Sequence, residues 1–478
     1  RVNTYQYQRI EANELTVPDL FTISNVKGNP SVGMYDEKKV TNSVFGTLNY
    51  SFRDWLFLDA TFRNDWSSTL PENEWSYFYP SVSLGWIFTE TFGISRNVLS
   101  FAKLRASWAK VGNDTDPYQT LATYVGQDPF GAVTPFRFSR QLPPLGLKPE
   151  LTTSFEVGGD FRFFMNRIGL DVTYYNAVTT DQIMAVDIAS STGYNTMFLN
   201  AGEIQNSGVE LALNGKIFQS NDGFNWDIMV NWSKNTNKVN KLYIDPETGD
   251  ELEAYQISTS WGSVSVEAVP GGTYGVIKGG AYVRDANDNI TIGSSGLPLK
   301  EAAQEIGNIT PDFFGGVNNM FSWKGLNLSF LLDFRKGGDV FSVTHWFGGY
   351  AGVSQATVEG DPYSTPATAG KTIREGGIIA DGVLEDGSKN TTVVAAQDYF
   401  ANYWNLHEPS IIDGSFIKLR ELVIGYDIPM NNVPVIQALN VSLVGRNLAM
   451  LWKHKSNDIN IDPETGFAAT NGGMGLEQ

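Results

Sequence analysis

The side chains that most often carry catalysis or bind metals are sparse in this sequence. Its three histidines, His345, His407 and His454, lie far apart and lack the spacing of a metal site. Cysteine is absent, so neither thiol chemistry nor a disulfide framework is available. No phosphate-binding P-loop, G-x-S-x-G elbow or H-E-x-x-H zinc motif occurs. The sequence therefore predicts no enzyme, no cofactor and no bound metal.

Two acidic patterns come closest to a site. The run DANDNITIGSSG at 285–296 partly matches a calcium-binding loop, but it lacks the glycine at the sixth position and the glutamate at the twelfth. A polar turn is the better interpretation. Asp114 and Asp116 form a pair of neighbouring carboxylates in a loop segment, without any residue nearby in sequence that suggests acid–base chemistry.

Aromatic residues are the better candidates for binding. They are frequent in two long segments, 236–311 and 337–413, and aromatic rings stack on sugars and on peptide side chains alike. The alternative is that these rings pack the two segments against each other. The residues predicted to contact cargo or a lid protein are Trp261, Tyr274, Trp346, Tyr350, Tyr403 and Trp404.

The elements that position these segments are β-strands. In 224–232 (FNWDIMVNW), apolar and polar residues alternate with the period of two that places them on opposite faces of a strand. Comparable strands of about 9–11 residues, the length that crosses a bilayer at a tilt, recur along the chain. The thirteen predicted strands are 1–9, 44–52, 55–65, 79–89, 99–109, 153–164, 167–178, 207–219, 223–235, 312–322, 325–336, 414–427 and 438–447.

The connections between these strands alternate between short and long. Short turns such as Arg53-Asp54 and Met165-Asn166 alternate along the chain with long segments such as 66–78 and 110–152. This alternation is typical of an antiparallel transmembrane β-barrel with short periplasmic turns and long extracellular loops. A soluble sandwich or propeller, such as a secreted lectin or glycosidase, has no reason to keep it. Both the first and the last strand are predicted to run outward, so the sequence predicts an incomplete barrel.

Composition supports a strand-rich exported protein. Of the 478 residues 13% are aromatic, only 18% are charged, and 48 are glycine. The net charge of −18 argues against a nucleic-acid partner, because phosphate binding needs clustered lysine and arginine. The sequence starts at Arg1 inside a strand-like segment and has no signal peptide, so we expect it to be a piece of a longer polypeptide.

Several stretches resemble signatures of the SusC/RagA family, the TonB-dependent outer-membrane importers of Bacteroidetes. The most specific is DGSFIKLRELVIGYDIP at 413–429, near the end of the chain. Others follow in the family's order along nearly the whole chain. They are LSFAKLRASWAKVGND at 99–114, the stretch 147–183, NAGEIQNSGVELAL at 200–213, NWSKNTNKV at 231–239, the stretch 308–341 and DINIDPETG at 458–466.

The resemblance implies a location in the outer membrane and a barrel of about 22 strands preceded by a plug domain. Residues 1–478 are then the C-terminal part of the barrel, with the plug, about eight N-terminal strands and the last strand outside this sequence. It also implies import of oligosaccharides or peptides with a SusD-like surface lipoprotein as lid. Further expected partners are TonB, through the absent N-terminal region, and outer-membrane lipid and lipopolysaccharide. The alternative is a SusC-like structural subunit of an assembly machine that imports nothing.

A few residues carry local expectations within this framework. Gly193 and Gly208 are expected to allow unusual backbone angles near strand starts. Lys103 and Arg105, like Lys418 and Arg420, alternate toward one face of their strands. Because a lipid-facing arginine near the membrane midplane costs roughly 2–4 kcal/mol, we expect these side chains to be ion-paired and to face the barrel interior.

Overall fold

Thirteen long strands dominate the computed structural model, which describes all residues except 13, 128–129, 132, 145, 189, 222, 246–247, 431–437, 468–474 and 478. Their order in the sheet follows their order in the chain, as in a meander. The strands are β1 (Val2–Glu11), β2 (Ser31–Phe52), β3 (Leu56–Ser67), β4 (Ser76–Ile87), β5 (Leu99–Asn113), β6 (Glu150–Phe163), β7 (Ile168–Thr180), β8 (Glu203–Phe218), β9 (Phe224–Lys241), β10 (Pro311–Trp323), β11 (Leu326–Gly337), β12 (Phe416–Ile428) and β13 (Leu439–Lys453).

Each predicted strand corresponds to one strand of this sheet, so the prediction from period-two alternation is confirmed. The observed strands are often longer than predicted. β2, for example, begins at Ser31 rather than at residue 44, because residues 31–40 pair with β1. That extension consists largely of charged and polar residues, so alternation of apolar residues could not reveal it.

Tight turns close the short connections. Between β10 and β11, Lys324 and Gly325 both have positive φ, of 49° and 85°, and Trp323 pairs with Leu326 across the turn. Two consecutive positive φ values suit the twist of a two-residue hairpin. The predicted turn between β2 and β3 also occurs, with Arg53 and Asp54 in left-handed conformation.

A row of stacked aromatic rings crosses four neighbouring strands near these short turns. The ring centroids of Phe218 and Trp226 are 6.1 Å apart, those of Trp226 and Phe321 5.7 Å, and those of Phe321 and Phe330 6.0 Å. Phe218 is 54% exposed although it is strongly apolar. Exposed aromatic girdles mark the membrane–water boundary of outer-membrane proteins. The row therefore indicates a membrane boundary at the short-turn ends of β8 to β11.

The chain divides into two compact units. The first comprises Arg1–Leu84, Ser107–Phe155 and Val178–Glu203. Its buried cluster contains Leu70, Tyr77 and Leu147. In the same unit Asp114 forms an ion pair with Lys39 and accepts a hydrogen bond from Ser67. This carboxylate of the Asp114/Asp116 pair therefore has a structural partner.

The second unit comprises Gly85–Ala106, Glu156–Ala177 and Ile204–Gln478. Between its long strands, residues 255–309 and 339–413 fold into what we call the loop body. One layer is an antiparallel sheet of Tyr255–Thr259, Ser265–Ala268, Tyr274–Tyr282 and Lys300–Asn308. Two hydrophobic clusters unite the two segments: Ile292 packs with Ile373 and Tyr399 in one, and Ile277 packs with Trp346 in the other.

The remaining elements are short. In the loop body they include the strands Asp339–Ser342, Ser364–Pro366, Ile378–Ala380 and Ile411–Asp413. The helices are α1 (Phe88–Thr91), α2 (Val343–Tyr350), α3 (Ala356–Glu359), α4 (Ile373–Gly376) and α5 (Ala396–Ala401). Within the described part of the chain, none of these helices has the length and hydropathy needed to cross a bilayer.

Candidate binding surface

Helix α2 organises the aromatic residues that the sequence singles out. It begins after Ser342, whose hydroxyl accepts a hydrogen bond from the backbone N–H of His345 and so caps the helix. Trp346 and Tyr350 lie one turn apart and thus on the same side of the helix. Trp404 packs beside both, with ring centroids 5.4 Å from Trp346 and 4.9 Å from Tyr350.

Two of the six predicted contact residues are buried. Trp346 has no exposed surface, and its indole N–H donates to the carbonyl oxygen of Tyr403 at 2.7 Å. Tyr403 is only 1% exposed. These rings pack the two aromatic-rich segments against each other, as the alternative interpretation of the sequence proposed. In this structure neither offers surface to a ligand.

The other four candidates retain accessible surface. Tyr350 and Trp404 are 40% and 43% exposed, and Trp261 is 65% exposed in a turn whose next residue, Gly262, lies against Trp346. Tyr274 begins a strand of the loop body and is half-buried. Their contact with cargo or a lid remains a prediction.

One aromatic residue of this surface was missed by the sequence analysis. Phe347 is 46% exposed, and its ring centroid lies 6.1 Å from that of Tyr350. We call Phe347, Tyr350 and Trp404 the aromatic patch. The position of Phe347 next to Trp346 in the sequence could have drawn attention to it. However, the sequence analysis relied on the two-residue period of strands, which does not reveal which side of a helix is exposed. The patch offers adjoining rings for stacking.

His407, near Trp346, connects the segment after Trp404 to the strand Tyr274–Tyr282. Its ring Nδ1 accepts a hydrogen bond from the backbone N–H of Gly280 at 2.8 Å, while the backbone N–H of His407 donates to the Gly280 carbonyl oxygen at 2.8 Å. Burial, with a smaller effect of the Lys300 charge, lowers the pKa of His407 to about 4. The imidazole is therefore neutral at pH 7 and acts as a structural acceptor.

Asp361 is a second structural centre of the loop body. This buried carboxylate accepts hydrogen bonds from the hydroxyl groups of Ser364, Tyr399 and Tyr403. Burial, reinforced by the negative charge of Asp361, raises the pKa of both tyrosines. The phenols remain neutral donors, and this hydrogen-bonded group holds α5 in place.

The calcium-like run forms a polar turn. Asp285 Oδ1 accepts hydrogen bonds from the backbone N–H groups of Asn287 and Asn289 at 2.8 and 2.9 Å. The carboxylate thus serves the turn itself, as predicted. Among the described residues, no cluster of three or more histidine, aspartate or glutamate side chains could hold a metal ion.

Three of the four strand cations, Arg105, Lys418 and Arg420, are ion-paired, as expected. Arg105 forms a two-pronged pair with Asp171, with distances of 2.7 and 2.6 Å. Lys418 contacts Asp462 and Glu464, each at 2.6 Å. Arg420 bridges Glu464 and Asp333. The late DINIDPETG segment is thereby tied to β12 by charge-assisted hydrogen bonds.

Comparison with known proteins decides the family. Residues 1–301 match the family model described as TonB dependent receptor-like, beta-barrel. The chain belongs to this family. Its sheet is thus part of a TonB-dependent receptor-type β-barrel located in the outer membrane, which confirms the predicted fold class and localisation. The family is one of receptors rather than enzymes, in agreement with the absence of catalytic motifs.

Individual relatives of this receptor-like chain agree. It is 28% identical over 461 residues to TonB-dependent receptor P26 of Formosa agariphila, covering 90% of this chain and 43% of the relative. It is 35% identical over 234 residues to TonB-dependent receptor SusC of Bacteroides thetaiotaomicron, covering 46% and 22%. The predicted SusC/RagA relationship is thereby confirmed.

A solved structure titled the RagAB peptide transporter superposes with a TM-score of 0.72 at 21% identity. The superposition covers 99% of this chain and 50% of the other, and at this identity it shows a shared fold. The chain thus spans about half the length of the relatives it matches.

Proposed function

We propose that this chain is part of an outer-membrane importer that takes up oligosaccharides or peptides in a TonB-dependent manner, with a SusD-like surface lipoprotein as its lid. The observation that carries the proposal is the loop body. Loops that merely join strands need no hydrophobic core of their own. The loop body has such a core, in which Trp346 is fully buried and Tyr399 almost fully buried. A body ordered in this way presents the aromatic patch without a large entropy cost on binding.

In the proposed importer this chain supplies only part of the wall, in line with the share of its relatives' length that it spans. Residues 1–478 form the C-terminal part of the barrel wall, and the plug, the remaining strands and the TonB-contacting region lie elsewhere in the full protein. Cargo is held between the lid and the loop body until TonB displaces the plug. Outer-membrane lipid and lipopolysaccharide surround the wall.

Similarity to named transporters supports the choice of cargo class. RagAB is described as a peptide transporter, and SusC as a TonB-dependent receptor. Aromatic side chains accept either cargo, because they stack on sugar rings and pack on apolar peptide side chains. The accessible rings of the patch suit this task.

Uptake of fluorescent oligosaccharides and peptides by cells that carry the native protein tests the proposal. We expect uptake to depend on TonB, and the double variant Y350A/W404A to reduce it about tenfold, since each lost stacking contact contributes about 0.5–1.5 kcal/mol. The control is V353A, which removes an apolar side chain that is 80% exposed and outside the patch. Equal abundance of the variants in the outer membrane is verified by immunoblot.

The result that contradicts import is uptake that is unchanged when TonB is disrupted and when the patch is removed. Purification under gentle detergent conditions without any surface lipoprotein would contradict the lid. Together these outcomes would favour the structural-subunit alternative.

A further inference from the structure

A cleft borders the aromatic patch within the loop body. Its volume is about 490 Å³, within the range of small-ligand pockets. Its lining includes Tyr350, Thr357, Arg374, Ala395, Gln397 and Phe400. Tyr350 belongs to both the cleft and the patch, so the two surfaces are continuous. We call this feature the Arg374 cleft.

The guanidinium of Arg374 is held in a fixed orientation. Its Nε donates to the carbonyl oxygen of Thr357 at 2.9 Å, and its Nη2 donates to the carbonyl oxygen of Gly352 at 2.6 Å and to the Thr357 hydroxyl. The Thr357 hydroxyl in turn donates to the carbonyl oxygen of Ser354 at 2.7 Å. These hydrogen bonds occupy the edge of the guanidinium that carries Nε and Nη2. They leave Nη1 without a hydrogen-bond partner in the described part of the chain.

The charge of Arg374 is not neutralised by any carboxylate among the described residues. The adjacent Glu375 is engaged with Thr372 in a capping box at the start of α4. Glu359 accepts from the side-chain amide of Gln355 at 2.8 Å. Arg284, the other arginine of the loop body, differs because it is paired with Glu408 at 2.6 Å. A guanidinium that is oriented by neutral carbonyl groups and open to a cleft suits a carboxylate ligand.

The side chains that line the cleft favour a ligand that itself contains a ring. Phe400 lines it as a buried ring, and Tyr350 leads onto the patch, where neighbouring ring centroids are 6.1 and 4.9 Å apart. Gln397 contributes an amide that can bond hydroxyl groups. A carboxylate attached to a ring with hydroxyl groups, next to further rings, matches all of these features.

We propose that the Arg374 cleft binds the carboxylate of an acidic sugar, a uronic acid unit, within an oligosaccharide cargo whose neighbouring rings lie on the aromatic patch. The inference rests on the proposed function, which it narrows to anionic oligosaccharides. A peptide with a free C-terminal carboxylate satisfies Arg374 as well and can pack on the aromatic patch, but it lacks the ring hydroxyl groups beside the carboxylate that the Gln397 amide can bond.

Equilibrium binding to the native protein, purified in detergent, tests the proposal. The probes are a short oligogalacturonate, a neutral galacto-oligosaccharide of the same length, and a peptide with a free or an amidated C-terminus. We expect the affinity for the acidic oligosaccharide to be at least about tenfold higher than the affinity for the neutral one. R374Q should abolish that difference. The control K371Q removes a neighbouring exposed charge outside the cleft and should preserve it.

A second variant guards against a folding defect, since Arg374 also ties α4 to residues 352–357. A395W places a large side chain on an exposed wall residue of the cleft without touching the hydrogen bonds of Arg374. It should weaken binding of the oligogalacturonate as R374Q does, while hydrogen exchange in the loop body stays as in the unmodified protein.

The outcomes separate the two levels of inference. An unchanged preference for the acidic oligosaccharide in R374Q and A395W overturns the site. Binding of the free-acid peptide alone, dependent on Arg374, overturns the sugar as its ligand. Both results leave TonB-dependent import intact, because import is measured independently in cells. If the purified protein binds the acidic oligosaccharide but cells show no TonB-dependent uptake, the proposed function is overturned and the binding site is not.

Discussion

Replacement of Trp346 by alanine is expected to open the loop body without unfolding the barrel strands. Trp346 is fully buried and has ring contacts with Phe341, Trp404 and His407. Its loss therefore leaves a cavity among side chains of both aromatic-rich segments. The Tyr403 carbonyl that bonds the indole is not orphaned, because it also accepts from the Leu406 N–H at 3.0 Å.

The magnitude follows from the cavity. Replacing a buried tryptophan by alanine costs about 3–5 kcal/mol. If the loop body opens locally, this cost reduces the free energy of that opening rather than that of global unfolding. Since each 1.4 kcal/mol is a factor of ten, amide exchange in residues 402–410 should accelerate by about a hundredfold or more.

Hydrogen–deuterium exchange mass spectrometry of the native protein measures this effect. The matched control is W261A, which removes the same side chain where it is 65% exposed, and for which we expect little change. Equal acceleration in W261A and W346A, or unchanged exchange in W346A, would refute a loop body held by its own core. Acceleration spreading equally into β10 and β11 would show that loops and wall unfold as one unit.

Two further perturbations test the wall and the pH response. Gly208→Ala should lower the yield of folded, heat-modifiable barrel on gels, because a Cβ there would lie 2.6 Å from the Tyr175 hydroxyl; Gly33→Ala, with 4.0 Å of room, should not. Acidification from pH 6.5 toward 4 should destabilise the loop body, because burial and the Lys300 charge keep His407 neutral while the unfolded state binds a proton. His407→Asn retains an acceptor oxygen and should flatten this pH dependence of exchange; an equally steep profile would contradict it.

Much of the wall was predictable because a strand in a membrane barrel imposes its period locally. Apolar and polar residues must alternate wherever one face meets lipid, and turn residues must follow at the required spacing. Segment 224–232 thus identified β9, and the turn predicted at Trp323-Lys324 between β10 and β11 occurs one residue later, at Lys324-Gly325. The predicted pairing of Arg105 also followed, since an unpaired charge on such a strand is costly.

The expectations for two glycines had different outcomes. Gly193 has the predicted positive φ, of 85°. Gly208 does not have a positive φ. It is confined instead by the Lys234 carbonyl oxygen and the Tyr175 ring, with both of which a Cβ would clash. Glycine at this position was noticeable in the sequence, but close approach between strands depends on register, which one strand alone does not contain.

By itself, then, the sequence determined the strand-rich wall, its alternating turns and loops, and the aromatic richness of two segments. Only the tertiary structure decided which of these aromatic side chains are accessible and which form the core of the loop body. Burial depends on contacts between 255–309 and 339–413, so Trp346 and Tyr403 became core while Phe347, Tyr350 and Trp404 remained accessible. The Arg374 cleft was equally hidden, because its charge is presented by carbonyl groups of Gly352 and Thr357 that come together only in the folded loop body.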